Sequence, residues 1–261
     1  MKVVILCGGL GYRLKEETEF KPKPMVNVGG KPILWHIMKI YAHYGFNDFI
    51  LALGYKGDYI KDYFLNQKYF TNNFTLFTKS GFAKVYKQSF SSNKNDEKTG
   101  DDFKITFVDT GENILPGERI LKIKPYIPLE DEDFMVTYGD GVGDVDVSEL
   151  LKFHQKKNKI GTIIGVHPRS KYGLLKTNNS GIVSKFIEKP VLREWVNGGF
   201  MVFKRDFFKY LKPGEMEHPA LKRLIRKREL SLFIHDGFWH SMDTYPDVDD
   251  LNRLWQEDPK W

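Results

Sequence analysis

The chain has 261 residues, with 40 lysines and arginines against 34 aspartates and glutamates and a formal net charge of +6. That length suits one large α/β domain or two small ones, and the ordinary charged and apolar fractions are those of a soluble globular protein. The single cysteine, Cys7, excludes an intrachain disulfide and any Cys-x-x-Cys metal pattern, and no apolar run reaches the roughly 18 residues of a membrane span.

The positive charge is spread along the chain. It reads as a solvated surface, or as attraction for anions such as nucleotides and sugar phosphates. The densest basic stretch, KRLIRKR at 222–228, reads as the polar face of a helix with Leu221, Leu224 and Ile225 inside, so nucleic acid is not an expected partner. The amino terminus enters a strand without signal-peptide segments, and the expected location is cytoplasmic.

Residues 3–6 are apolar throughout and read as a buried strand. They run into LCGGLGYRL at 6–14. Glycines after a strand let backbone N–H groups approach an anion, and Arg13 adds a permanently charged fork. A plain tight turn is the alternative. A Walker loop would need Gly-Lys-Ser/Thr, which Leu14-Lys15 does not supply, and the dinucleotide fingerprint would need a glycine at Leu14. In KPKPM at 21–25, prolines disfavour helix for their predecessors and predict an extended segment. A lysine fixed opposite a glycine-rich loop could neutralise a triphosphate.

Apolar spacing predicts a helix over 32–44, with proline near its first turn and Gly45 just past its end. A strand at 48–53 and a helix at 57–64 follow. This β-loop-α-β-α opening favours a parallel sheet covered on both faces. The polar stretch 89–102 predicts a long mobile loop. Strands are expected at 104–108, 134–137, 162–166, 174–177, 182–187, 199–203 and 231–234, and helices at 147–157, 219–228 and 248–256, with a turn at 178–181. There is no repeat or linker, and one mixed α/β domain fits best.

The blocks GGLGYRL, KPKPM and GGKPILWHIM are followed in order by GYKG (54–57), VDTG (108–111), TYGDGVGDVD (137–146), IEKP (187–190), NGGF (197–200) and GFWHSMDT (237–244). Together they closely resemble the sugar-1-phosphate nucleotidylyltransferases, and within that family the cytidylyltransferase branch. The resemblance implies a single Rossmann-like nucleotidyltransferase domain over 1–261, with a mixed, mostly parallel central sheet and an acceptor-binding part at about 160–245. It implies attack by a sugar-1-phosphate oxygen on the α-phosphorus of CTP, releasing pyrophosphate. This chemistry needs positioning and charge neutralisation more than covalent catalysis.

By the same resemblance, Arg13, Lys23 and Asp140 are catalytic, and Asp140 and Asp243 hold Mg²⁺. Leu6, Gly8, Gly9, Leu10, Gly11, Tyr12, Thr110, Gly111, Gly117, Arg119 and Gly139 bind the nucleotide, with Arg119 directed at the base. Tyr172, Gly173, Glu188, Lys189, Asn197 and Gly198 form the acceptor pocket. A homo-oligomer is implied as well. Read alone, Asp243 is a helix N-cap or turn residue, Glu188-Lys189-Pro190 a surface turn and Lys21 a surface lysine. Asp144 and Asp146 read as a turn and the N-cap of the following helix. The chain departs from the family at Tyr12, where threonine is usual, at Cys7, where alanine is usual, and across 113–119 before the base arginine. Alternative readings are a different nucleotide or acceptor, or a non-catalytic nucleotide-binding subunit. Retention of Arg13, Lys23, Asp140, Lys189 and Asp243 argues against the last.

Overall fold

The computed structural model describes residues 1–70, 72–86 and 101–261. The loop expected at 89–102 lies outside the described residues up to residue 100.

In chain order, β1 (Val3–Cys7) leads through a 3-10 turn (Tyr12–Leu14) into α1 (Lys15–Thr18), and a second 3-10 turn covers Lys23–Met25. A small ribbon of β2 (Asn27–Val28) and β3 (Lys31–Pro32) precedes α2 (Ile33–His43), then come β4 (Asp48–Leu53) and α3 (Gly57–Phe70). A hairpin of β5 (Asn73–Phe77) and β6 (Phe82–Tyr86) is followed by β7 (Lys104–Asp109), α4 (Pro116–Lys122), β8 (Asp133–Tyr138), β9 (Gly141–Gly143), α5 (Val147–Lys157) and β10 (Gly161–Val166). A second hairpin, β11 (Leu174–Thr177) and β12 (Val183–Ile187), leads to β13 (Val196–Lys204), α6 (Glu217–Arg226), β14 (Leu230–Ile234), β15 (Trp239–Ser241) and α7 (Tyr245–Glu257).

The central sheet has seven strands in the order β14-β10-β13-β8-β1-β4-β7. β13 runs antiparallel to both its neighbours, and the remaining pairs are parallel. Side chains alternate across a strand, so β1 feeds two cores. Val3, Ile5 and Cys7 pack with α2, whereas Val4 and Leu6 pack with Ile120 of α4 and Leu224 of α6. That double burial explains why β1 reads as an unbroken apolar run.

Local sequence sets the helix ends. Pro32 precedes α2 with its φ already at −57°, and Gly45 ends the helix at φ +84°. Asp146 caps α5 by accepting the Glu149 N–H at 2.9 Å, as its position predicts, and Asn158 closes that helix at φ 51°.

Several elements differ from the sequence reading. The segment read as extended at 21–25 contains the 3-10 turn Lys23–Met25, because Pro24 at its first positions has no N–H to leave unpaired. The β5–β6 hairpin and α4 were not expected. α4 has seven residues, too few to show helical periodicity, and carries Pro116 and Gly117 at its start. Among the described residues no helix is long and apolar enough to cross a membrane.

Candidate active site

In open α/β sheets ligands bind beyond the carboxyl ends of parallel strands, where neighbouring connections diverge. Here β1 has β8 on one side and β4 on the other. The loops leaving β1 and β8, together with the one after β7, line a cavity of about 630 Å³. Of the residues assigned to the nucleotide, Leu6, Gly8, Gly9, Leu10, Gly11, Tyr12, Arg119 and Gly139 line it, as do Arg13, Lys23 and Asp140. Thr110, Gly111 and Gly117 do not. Thr110 is buried, with its hydroxyl donating to Leu53 O at 2.5 Å. Gly117 lies under α6, and a Cβ there would meet Met216 O at 2.6 Å.

The glycines of the first loop do different jobs. A Cβ on Gly8 would fall 2.1 Å from the Arg119 guanidinium carbon, so only glycine lets that plane lie against the loop. Gly11 holds φ +64° and closes the turn by accepting the Leu14 N–H at 2.9 Å. Tyr12 projects outward with 78% exposure, so the larger side chain does not fill the loop interior. Buried Cys7 sits in the core beneath, and burial pushes its thiol pKa well up, leaving it neutral and inert.

Arg119 is 2% exposed. One guanidinium nitrogen donates to Leu53 O at 2.6 Å, to Gly111 O at 3.1 Å and to the Thr110 hydroxyl; the other donates to Ile114 O at 2.9 Å and Gly8 O at 3.2 Å. These contacts tie Gly8, the end of β4 and the segment after β7 together, so Arg119 braces the cavity wall.

The carboxylates converge through chain pairing. β15 runs antiparallel to β9, with Ser241 opposite Gly141, and the Met242 N–H donates to Asp140 O at 2.8 Å. Asp243 thereby arrives beside Asp140. Pro24 packs on Gly139, where a Cβ would lie 2.9 Å from the proline ring, and this brings Lys23 to the same point. Lys23 Nζ is 2.6 Å from Asp140 Oδ2 and 2.9 Å from Asp243 Oδ1. Arg13 Nη2 is 3.2 Å from the same Asp243 Oδ1, with the arginine side chain 74% exposed. Burial alone would lower the Lys23 pKa, but the charge and hydrogen bond of Asp140, with those of Asp243, hold it above the ordinary lysine value. Burial would likewise raise Asp243; the Lys23 hydrogen bond and charge, then Arg13 and Lys171, hold it below the usual carboxylate range. Lys21 instead pairs with Glu17 at 2.8 Å.

A second cavity of about 180 Å³ adjoins the first and shares Tyr138 and Asp140 with it. Asn197, Gly198 and Asp243 line it, along with Thr137, Trp239 and Ser241. Trp239 donates its indole N–H to Gly198 O at 2.7 Å, and Asn197 Oδ1 accepts the Gly199 N–H at 2.9 Å. Tyr172, Gly173, Glu188 and Lys189 do not line this cavity; they lie in the connection into β11 and just past the end of β12. Tyr172 is exposed, and Gly173 packs beneath Phe186 and Glu188, where a Cβ would lie 3.1 Å from the Glu188 carboxylate. Lys189 holds φ +42°, a strained conformation for a side-chain-bearing residue that often marks a functional site. Sequence reasoning missed Tyr138, Ile114, Met216, Trp239 and Ser241. Trp239 and Ser241 fall inside a recognised block, GFWHSMDT, which is the one signal that pointed to them.

A glycine-rich loop, a half-buried lysine and two carboxylates at the carboxyl-end side of a mostly parallel sheet define a nucleotidyltransferase site. The chain belongs to the nucleotidyl transferase family, whose profile matches residues 2–240. It is 42% identical over 260 residues to the probable glucose-1-phosphate cytidylyltransferase of Bacillus subtilis, covering 98% of this chain and 97% of that protein. Identity to the glucose-1-phosphate cytidylyltransferase of Salmonella typhimurium is 39% over 260 residues, covering 98% and 96% respectively. Among solved structures, HddC from Yersinia pseudotuberculosis shares the fold, with a TM-score of 0.67 and 23% identity over 97% of this chain and 99% of that one. The protein is an enzyme that transfers a nucleotidyl group to a sugar 1-phosphate.

Proposed function

We propose that CTP is the donor and glucose 1-phosphate the acceptor, that the products are CDP-glucose and pyrophosphate, and that Mg²⁺ is required. The observation that carries this reading is the meeting of Lys23, Asp140 and Asp243 where the two cavities join. The names and near-complete coverage of the relatives support the choice of substrates.

In this reading the triphosphate lies in the larger cavity. Backbone N–H groups at Gly8, Gly9 and Gly11 and the Arg13 guanidinium hold its oxygens. Lys23 meets the α-phosphate, where charge is redistributed as the acceptor oxygen bonds to phosphorus and the bond to the leaving pyrophosphate breaks. Base selection falls to the 110–119 segment, with Ile114 as an apolar wall and Arg119 acting through the loops it braces. Asn197 and Gly198 take the sugar in the smaller cavity; Glu188 accepts from its hydroxyls, and Lys189 pairs with its phosphate.

The donor set fits Mg²⁺. Two carboxylates already share one cation, the Lys23 ammonium, and Mg²⁺ commonly takes one or two carboxylates with phosphate and water oxygens completing its shell. When bound, the ion neutralises phosphate charge beside the reacting phosphorus.

The same reading treats 1–261 as one catalytic unit, working in the cytoplasm as a homo-oligomer that supplies nucleotide-sugar for polysaccharide synthesis. Exposed Phe74, Phe77 and Phe82 on one hairpin and Leu175, Ile182 and Phe186 on the other support assembly, because isolated two-stranded hairpins are marginal in water.

The test is pyrophosphate release from CTP, UTP, GTP and ATP, each with a panel of hexose 1-phosphates. CTP with glucose 1-phosphate should be fastest, and excess chelator should abolish turnover. A faster pair would reassign the substrates, and full activity in chelator would remove the metal.

A further inference from the structure

One carboxylate oxygen behind the metal-binding aspartate gathers four donors. Asp247 Oδ2 accepts the main-chain N–H of Asp243 at 2.9 Å, the N–H of Thr244 at 2.7 Å, the Thr244 hydroxyl at 2.8 Å and the Lys171 ammonium at 3.0 Å. Thr244 supplies two of these: its N–H bond is one half of the capping box at the start of α7, in which Thr244 is the N-cap and Asp247 the third helical residue, and its hydroxyl adds a further contact at the same cap. The other two have no part in capping. The Asp243 N–H fixes the backbone of the residue whose carboxylate meets Lys23, and Lys171 comes from the connection between β10 and β11.

That connection is sewn to the acceptor region. The Ser170 N–H donates to Pro190 O at 2.8 Å, and the Ser170 hydroxyl donates to Tyr172 O at 2.7 Å and accepts the Tyr172 N–H at 3.1 Å. Arg169 bridges to Val191 in antiparallel fashion. Lys171 therefore stands on the same turn as Tyr172 and Gly173, held against the Glu188-Lys189-Pro190 segment. Its side chain is half exposed, whereas that of Asp247 is 13% exposed. Four donors, one of them an ammonium, converge on this oxygen, so it accepts in every bond.

We propose that Asp247 is a positioning residue for Asp243, and that its ion pair with Lys171 couples the acceptor-binding turn to the metal-binding loop. This rests on the assignment of Asp243 to the metal and of the 172–190 region to the sugar phosphate. A half-exposed ion pair contributes little to stability, so it does not account for the fold. Its effect lies in geometry: seating the sugar phosphate orders the turn, the turn fixes Lys171, and Lys171 fixes Asp247 and with it Asp243. Coupling of this kind is reciprocal, so acceptor and metal each tighten the other's binding.

The experiment measures Mn²⁺ affinity by electron paramagnetic resonance on the full-length enzyme with α,β-methylene-CTP, with and without glucose 1-phosphate. In the wild type the acceptor should tighten Mn²⁺ binding by about fivefold or more. In Lys171→Met, which leaves the helix cap intact, and in Asp247→Asn, which keeps the shape but loses the charge, that factor should fall close to one. Steady-state assays should show the glucose 1-phosphate KM of Lys171→Met raised several-fold, the CTP dissociation constant unchanged and the melting temperature unaltered. The double variant should be no worse than Asp247→Asn, because both substitutions cut one link. No acceptor effect on Mn²⁺ in the wild type, or an undiminished effect in Lys171→Met, would overturn the proposal. Wild-type turnover in the same buffer is the separate control for the substrate assignment. If another nucleotide and hexose phosphate are turned over instead, the nucleotide's methylene analogue and that sugar phosphate replace these probes, and the coupling claim stands or falls on the same ratio.

Discussion

Lys23 Nζ lies 2.6 Å from Asp140 Oδ2, although 117 residues separate the two in the chain. The contact exists because Pro24 packs on Gly139, and it sets a lysine cation between two carboxylates. Asp140→Asn and Asp243→Asn keep side-chain shape and remove charge. Each should lower kcat by orders of magnitude while shifting the melting temperature little, since both carboxylates are partly solvated. Parallel turnover and thermal unfolding measurements check this. Near-normal activity of Asp243→Asn would remove it from the metal site.

Lys189→Ala should raise the KM for the sugar phosphate and leave CTP affinity nearly unchanged, because Lys189 lies on the hairpin side, away from the larger cavity. Isothermal titration with CTP alone, set against steady-state KM values, separates the two. A loss confined to CTP binding would reverse the assignment.

Arg119→Met should cost stability as well as nucleotide affinity. Hydrogen bonds from a charged donor contribute roughly 1.5–3 kcal/mol each. Arg119 makes several, all to protein acceptors in three loops, so a loss of about 3 kcal/mol or more in urea unfolding is expected. Full stability with CTP binding abolished would make Arg119 a direct reader of the base and no brace.

The depressed pKa of Asp243 sets an acid limit. A carboxyl lowered in the folded state contributes stability that is complete above its unfolded value, about 4, and lost as pH falls through the lower folded value. Lys23 is shifted the opposite way, so its share is complete below about 10.4 and lost as pH rises through its raised folded value. Between roughly pH 5 and 10 the contact between them contributes a constant amount. Asp243→Asn should therefore show a shallower fall in urea midpoint than wild type on acidification below about pH 4. Identical acid slopes would show that the Asp243 shift is not stabilising the fold.

Parts of this architecture were legible residue by residue. β1 and β4 announce themselves as apolar runs because both faces are covered, and α5 because Asp146 caps it and Asn158 ends it. The glycine loop, Lys23, Asp140 and Asn197 sit in compact blocks whose residue types suit anion binding. Other parts had no local signal. β9 and β15 are three residues each, and only their pairing brings Asp243 to Asp140. An arginine in sequence does not reveal whether its guanidinium ends on a ligand or on carbonyls, as with Arg119. Met216 enters the cavity wall through tertiary packing, and the link between Lys171 and Asp247 joins two positions outside every recognised block.

The central claim is that Lys23 acts on the reacting phosphate. Single-turnover rates and CTP dissociation constants for Lys23→Ala and Lys21→Ala test it most directly. Removing a preorganised charge that strengthens its interaction in the transition state typically costs about 10²–10³ in rate. Lys23→Ala should show that loss with a much smaller change in CTP affinity, since Arg13 and the glycine backbone remain. Lys21→Ala, whose ammonium is already paired with Glu17, should lose far less. Equal losses in the two variants would contradict the account, because the segment would then act as a diffuse basic patch with no special place for Lys23.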